Sequence, residues 1–409
     1  MNKLILIPFL FIFASCSLII KSNESKVNLV LKDKKEKELF CNKSNTQFYI
    51  QNEQTYLLIQ NLNKKVNLSA QEILVATVLT EIFNSPFAVS IDSQIQFLDM
   101  NLASKNFEHS YYLSDKRPTN LFDSLRYYLK KNKAKYSLGE LISLVERELP
   151  TRITISKRYA RFLSGIEQSI RSDEKLSATY LRGNQLIKAN ETIRRSSLKR
   201  IYNVSRLQTK EQRKKKVTNN SYLFPYVTND QKYLCNYDLN IYENSIFLIS
   251  KDKRPQTLEL GAMKNNFSAM AVLRLYPRVH SKKLSSHSLF GQSQTPRPVA
   301  ICHKSNSNEI FVSSKGPDSA QILQQFIKNY AKLTTKKNLK ESLYHSRNIV
   351  MIPPKRILSE TKKLDSNDLE NLLKSDNAVY HVENIGNIWG LHSKSFFQDP
   401  RSVNSLRCI

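Results

Sequence analysis

The chain has 409 residues and 40% of them are hydrophobic, which is enough for two or three domains with real cores and excludes a disordered chain. The net charge is +28, which bears on solubility and partners rather than on fold. Glycine is scarce, with 8 residues against an average usage of about 7%. Because neither a Gly-rich phosphate loop nor the G-x-S-x-G elbow occurs, the sequence argues against nucleotide-cradling folds and α/β-hydrolases.

The first residues have the pattern of an export signal. Lys3 precedes an apolar run from Leu4 to Ala14, and small residues follow it. This pattern predicts a secretory signal peptide over residues 1–15. The run is too short to span a bilayer, which needs roughly 20 apolar residues.

The tetrapeptide Phe13-Ala14-Ser15-Cys16 resembles the bacterial lipobox, although Leu is commonest where Phe13 stands. The resemblance implies a lipoprotein that is cut before Cys16 and carries diacylglycerol on its thiol and an acyl chain, such as palmitate, on its new amine. Ser17 after the cysteine then favours the outer membrane of the cell envelope. Two alternatives stay open, a plain secretory signal and an uncleaved N-terminal membrane anchor from Leu4 to Ile20.

Four cysteines remain if Cys16 carries lipid, and in an oxidising compartment they predict two disulfides with three possible connectivities. The preferred pairing joins Cys235 to Cys302 and Cys41 to Cys408, while four reduced cysteines would suit a cytosolic chain. Since no C-x-x-C occurs, neither a zinc ribbon nor a thioredoxin-like site is indicated.

The mature chain is predicted to begin with a flexible, charged tether over residues 16–40, followed by a mainly helical domain over 41–220. Aromatic and aliphatic runs at 47–62 predict a β-hairpin. Ser69 and Glu72 form a capping box, which predicts a helix over 70–84. Further helices are expected near 88–104, 119–132 and 137–149.

A basic segment over 156–216 has helical periodicity, and residues 151–220 contain 18 Lys or Arg against 5 Asp or Glu. Its spacing predicts one cationic face for polyanions, formed by Arg195, Lys199, Arg206 and Arg213. The competing interpretation, which we favour, is a solvated helix surface. The lack of interleaved aromatic residues argues against nucleic acid as the partner.

Residues 221–409 alternate between extended apolar runs and turn residues, which predicts an α+β domain. Strands are expected at 222–224, 232–235, 245–249, 269–276, 298–302 and 309–313. Helices are expected after Asp318 and near 366–374. The fold class is therefore α+β, with a helical N-terminal half that contains a small hairpin, followed by an antiparallel sheet with covering helices.

No catalytic motif stands out. Cys302 and His303 are neighbours, but strand neighbours point to opposite faces. His381 and Glu383 would share a face, and a surface pair is the simpler interpretation. The seven histidines lack metal-ligand spacing, so neither a metal nor a cofactor is predicted.

We therefore expect a membrane-anchored envelope lipoprotein with a non-catalytic binding or scaffolding role, its partners being the membrane and an anionic envelope polymer or protein. Enzyme status is left uncertain, with a non-enzyme favoured. Two alternatives are an envelope hydrolase, whose site is assembled from distant residues, and a polyanion-binding surface protein.

Overall fold

A computed structural model describes residues 39–41, 45–114, 117–118, 120–210, 217–219, 224–228, 231–236, 256–275, 277–279, 290–292, 299–316, 318–331, 336–351, 356–360, 364, 366–374 and 377–408. Residues 16–38 of the tether, which include the lipid-attachment residue Cys16, and the predicted strand at 245–249 lie outside these residues. The predicted α+β class is confirmed, because helices and antiparallel sheets are both extensive.

The helices of the described residues, in chain order, are α1 Glu53–Val66, α2 Ala70–Asn84, α3 Leu121–Lys131, α4 Leu138–Glu148, α5 Lys157–Gly165, α6 Glu167–Arg171, α7 Glu174–Tyr180, α8 Leu198–Lys210, α9 Ser319–Ala331, α10 Lys336–Tyr344 and α11 Ser366–Leu373. The strands are β1 Thr46–Ile50, β2 Gln94–Asn101, β3 Asn106–Ser114, β4 Arg117–Pro118, β5 Arg152–Thr154, β6 Leu181–Arg182, β7 Gln185–Leu186, β8 Thr192–Arg194, β9 Val217–Asn219, β10 Phe224–Thr228, β11 Gln231–Cys235, β12 Gln256–Lys264, β13 Phe267–Leu275, β14 Pro277–Val279, β15 Phe290–Gln292, β16 Ala300–Lys304, β17 Glu309–Lys315, β18 Asn348–Met351, β19 Arg356–Ser359, β20 Ala378–His381, β21 Asn387–His392, β22 Ser395–Gln398 and β23 Ser405–Cys408.

Two large sheets form the centre of the molecule. The first has the order β23-β1-β12-β13-β2-β3-β4, with β9 also paired to β3, and the second has the order β10-β11-β16-β17-β21-β22. Strands from both sides of position 220 share the first sheet, and the domain boundary placed there stays a prediction.

Three hydrophobic clusters show that the sheets are stacked between two helical layers. One cluster joins the outer face of the first sheet to α1–α5, and another joins the outer face of the second sheet to α9 and α10. The third lies between the sheets and contains Tyr49, Met270, Val312 and Trp389. The order is therefore helix, sheet, sheet, helix, and both faces of each central sheet are covered.

Local signals in the sequence explain several elements. The capping box of Ser69 and Glu72 starts α2, as predicted. The predicted helices near 119–132, 137–149 and 366–374 correspond to α3, α4 and α11, and Asp318 accepts a hydrogen bond from the Gln321 amide at the start of α9.

Three predicted elements are wrong. The run at 47–62 is not a hairpin, because the Asn52 side chain caps α1 by accepting from the amides of Gln54 and Thr55. The expected helix near 88–104 is instead strand β2, whose two faces are both buried, so that apolar residues on each side hid the period of two. The long basic helical segment is divided into α5 to α8 and three short strands.

Candidate functional site

The cysteines of the described residues form two disulfides, Cys41–Cys408 and Cys235–Cys302, with Cα–Cα distances of 5.7 and 4.1 Å. This is the pairing that the sequence analysis preferred. The first disulfide ties the chain just before β1 to the last strand, β23, which pairs with β1. The second joins directly opposite residues of β11 and β16.

The four residues of the predicted cationic face have different surroundings. Arg195 forms an ion pair with Glu146 at 2.8 Å and donates to the carbonyls of Pro150 and Leu149. Lys199 is exposed at the start of α8, and Arg206 lies further along that helix. Arg213 lies outside the described residues. The charge of Arg195 therefore serves the packing of the helical layer.

The other candidates from the sequence do not form a site together. Cys302 is in a disulfide, whereas the ring of His303 stacks on Phe107 with centroids 4.5 Å apart. His381 ends β20 on an exposed edge, with Glu383 two residues beyond. Within the described ranges, no group of three or more His, Cys, Asp or Glu could hold a metal ion. Nor is any helix of the described part long and apolar enough to cross a membrane.

A polar site that the sequence analysis missed lies between the two sheets, on β12. Side chains alternate along a strand. Leu258 and Leu260 pack in the helix-facing cluster, and Met263 packs in the cluster between the sheets. Thr257 and Glu259 therefore point towards the second sheet, and both are buried.

The Glu259 carboxylate lies at the centre of this site and is fully buried. Its partners come from both sheets. Lys315 contacts Glu259 Oε2 at 3.1 Å, Asn387 donates to the carboxylate at 3.3 Å, and the hydroxyl of Ser314 also donates to it. A buried charge is tolerated only when it is paired and hydrogen-bonded, which this arrangement provides.

A β-bulge brings two consecutive residues of β17 to the same carboxylate. The pairing of β17 with β21 shifts register between Ser313 and Lys315, so that Ser314 and Lys315 both reach Glu259. Gly386 stands beside the bulge at φ 56°, and a Cβ there would lie 2.3 Å from the carbonyl oxygen of Lys315. Only glycine allows this close approach.

Tyr49 of the first sheet and Asn404 of the turn before β23 are the remaining partners of Glu259. The hydroxyl of Tyr49, on β1, donates to Glu259 Oε2 at 3.4 Å and also contacts the Ser402 hydroxyl at 3.0 Å. Asn404 donates to the backbone carbonyl of Glu259 at 2.9 Å. Thr257 pairs directly with Arg274 of β13, another buried side chain on this face.

The electrostatics of the site follow from its burial. Burial raises the pKa of Tyr49 well above its ordinary value, and the Glu259 charge adds to this. The pKa of Lys315 is lowered, mainly by burial and also by the nearby Arg158, although Glu259 acts in the opposite direction. Arg158 donates to Gln51 at 2.6 Å and lies 4.8 Å from the centre of the Phe87 ring. Glu259 therefore interacts electrostatically with two cations, Lys315 and Arg158.

This arrangement has the parts that nucleophilic chemistry needs. Thr257 and Ser314 are buried hydroxyls, Glu259 can accept a proton, and Lys315 with Arg158 supplies positive charge. The only signal in the sequence is a threonine and a glutamate two residues apart in an otherwise apolar strand. The other components come from positions far away in the chain.

No protein-family model matches the chain, and no curated protein matches its sequence. Solved structures do match. A structure of a threonine-to-alanine variant of LmbA2991 has a TM-score of 0.66 at 9% identity, with 92% of this chain and 100% of that chain covered. A second LmbA2991 structure has a TM-score of 0.64 at 9% identity, with the same shares covered.

The cephalosporin acylase from Bacillus halodurans has a TM-score of 0.63 at 7% identity, with 93% of this chain and 98% of that chain covered. At these identities the comparisons show a shared fold. They overturn the predicted non-catalytic binding or scaffolding role, because the fold is shared over almost the whole chain with a protein that is named as an enzyme.

Proposed function

We propose that this protein is an acylase-type hydrolase that cleaves an amide bond, with Thr257 as the nucleophile. The observation that carries the proposal is the buried Glu259 cluster between the two sheets of a fold shared with a cephalosporin acylase. One LmbA2991 structure is of a threonine-to-alanine variant, which directs attention to threonine hydroxyls on this fold. Thr257 is the threonine that shares a buried strand face with Glu259.

In the proposed reaction, the Thr257 hydroxyl oxygen attacks the carbonyl carbon of the amide, and its proton passes to Glu259. The two residues are about 6.6 Å apart along the strand, a gap that the longer Glu side chain and one water span. The C–N bond then breaks, and the amine leaves with the proton that Glu259 returns. Water hydrolyses the resulting ester, which releases the carboxylic acid and restores the hydroxyl.

The positive groups act on the charge that develops during the attack. Lys315 and Arg158 lie near Glu259, and their fields favour the negative oxygen of a tetrahedral intermediate. Because the Glu259 side chain is fully buried, these fields are stronger beside it than they would be in solution.

The test is release of a primary amine from an amide-linked cephalosporin, followed with fluorescamine. We expect Thr257→Ala to lower kcat by about a thousandfold and Thr257→Ser to retain part of the activity. Ser268→Ala is the matched control, because it removes another buried hydroxyl of the first sheet, and its kcat should stay within about twofold of the wild-type value. Full activity in Thr257→Ala would remove Thr257 from the reaction.

We also propose that the enzyme acts in the bacterial envelope, held at the outer membrane by lipid on Cys16. The lipobox-like tetrapeptide and the two disulfides of the described residues support an exported protein. Intact mass of the membrane-extracted protein tests this. A chain that begins at Cys16 and carries acyl groups, lost in Cys16→Ala, is the expected result, whereas an unprocessed or unlipidated mass would contradict it.

A further inference from the structure

Four buried charges form a compact cluster behind the candidate site. Arg401 contacts Glu360 Oε1 at 2.7 Å and Asp399 Oδ1 at 3.2 Å, and Arg347 pairs with the other oxygen of Asp399. Each of the four side chains is almost completely buried. Burial acts to raise the pKa of Asp399, but the two guanidinium groups outweigh it and hold that pKa below its ordinary value. The two guanidinium groups therefore favour the charged form of Asp399 in the folded protein.

The cluster fixes the turn that connects β22 to β23. Asp399 accepts from the backbone amides of Arg401 at 2.9 Å and Ile388 at 2.8 Å. Its own carbonyl accepts from the Ser402 amide at 2.9 Å. Planar guanidinium groups paired with carboxylates impose a fixed geometry, so the turn has little freedom.

The turn reaches Glu259 by two routes. Ser402 contacts the Tyr49 hydroxyl at 3.0 Å, and that hydroxyl donates to Glu259. The backbone N–H of Asn404 donates to the Ser402 hydroxyl at 3.1 Å, and the side-chain amide of Asn404 donates to the backbone carbonyl of Glu259. The Tyr49 ring is itself fixed, since it stacks on Trp389 with centroids 4.5 Å apart.

We propose that the turn over 399–402 is a positioning element, and that Tyr49, Ser402 and Asn404 are positioning residues that set the Glu259 carboxylate. This rests on the proposed function in so far as Glu259 serves the reaction. Replacing a whole buried charge cluster with apolar residues is often neutral or stabilising, so stability alone does not account for this cluster. Apolar residues in its place would not give Ser402 the same fixed orientation.

The test is a double-mutant cycle on the unfolding equilibrium constant, which does not depend on activity. Ser402 and Glu259 both contact the Tyr49 hydroxyl, so the effects of Ser402→Ala and Glu259→Gln should not be independent. The unfolding equilibrium constant of the double variant should differ by at least about threefold from the value expected if the two single effects were independent. In a Tyr49→Phe background, which keeps the stacked ring, the non-additivity should become smaller, because only the route through Asn404 is left. Additive effects in the wild-type background would overturn the proposal.

Kinetics give a second readout. Tyr49→Phe should lower kcat on the cephalosporin by about tenfold and leave KM unchanged, because the carboxylate is misplaced while substrate contacts remain. Tyr159→Phe is the matched control, since it also removes a buried tyrosine hydroxyl hydrogen bond, 2.7 Å from Tyr180, in the helical layer. It should leave kcat unchanged, and its effect on the free energy of unfolding should be additive with that of Glu259→Gln.

The outcomes separate the two proposals. If the wild-type protein does not cleave the cephalosporin, the proposed function fails for this substrate, and the cycle still decides whether the turn positions Glu259. If Tyr49→Phe and Tyr159→Phe have the same effect on kcat, the role of Tyr49 is only structural and the positioning proposal is overturned.

Discussion

Asp99 should make the stability of the protein depend on pH in an unusual direction. Its carboxyl is buried on β2 and accepts from the Tyr128 hydroxyl at 2.6 Å. Burial raises its pKa from 3.8 to about 7. Between these values the folded protein holds a proton that the unfolded chain has lost, so stability falls as pH rises from about 4 to about 7. At about 1.36 kcal/mol for each pKa unit, the loss is about 4 kcal/mol.

A nearby histidine works in the opposite direction. Burial lowers the pKa of His109 from 6.5 to about 4, so the unfolded chain binds the extra proton and stability rises with pH between these values. The two effects nearly cancel in the wild-type protein. Asp99→Asn should therefore expose the rise that is due to His109.

The assay is urea unfolding followed by far-UV circular dichroism at pH 4, 5.5 and 8. The free energy of unfolding of Asp99→Asn, relative to wild type, should increase by about 4 kcal/mol from pH 4 to pH 8. A constant difference over this range would refute the reasoning that Asp99 is protonated in the folded protein at pH 5.5.

Three further predictions test other parts of the structure. Arg401→Ala should lower the free energy of unfolding by about 3–5 kcal/mol in urea titrations, because it leaves Glu360 without its buried cation. A loss of less than about 1 kcal/mol would contradict the buried ion pair between Arg401 and Glu360. Gly386→Ala should lower the melting temperature by several degrees, because a Cβ there meets backbone beside the bulge, and an unchanged value would contradict that contact. Arg195→Ala should lower the free energy of unfolding in urea by about 2 kcal/mol, because it removes the ion pair with Glu146. Lys199 is exposed, so Lys199→Ala should lower it by less than about 0.5 kcal/mol. Equal effects would show that Arg195 has no packing role.

The sequence predicted elements whose signals are local. The capping box at Ser69 and an apolar run predicted α2, because a helix end is determined by residues three positions apart. The strand β2 was missed because it lies in the middle of a covered sheet, where burial of both faces removes the alternation. The hairpin predicted over 47–62 is wrong because Asn52 caps α1, which the apolar runs on either side of it do not indicate.

The site could not be predicted in the same way. Glu259 meets Tyr49 across 210 residues of chain and Asn387 across 128, so its partners become neighbours only after the two sheets stack. The bulge that aims Ser314 and Lys315 at one carboxylate depends on the pairing of β17 with β21, which leaves no local signature. In contrast, the preferred cysteine pairing agrees with the fold, in which the chain before β1 and the last strand lie together.

The most direct test of the proposed chemistry is to trap the acyl group on the enzyme. Wild-type protein would be incubated with an amide-linked cephalosporin and quenched in acid at short times, and the peptides would then be mapped by mass spectrometry. The account predicts an acyl mass added to the peptide that contains Thr257, absent in Thr257→Ala and formed more slowly in Glu259→Gln, because Glu259 accepts the proton of the attacking hydroxyl. An acyl group on Ser314, or on no residue while amine is still released, would contradict Thr257 as the nucleophile.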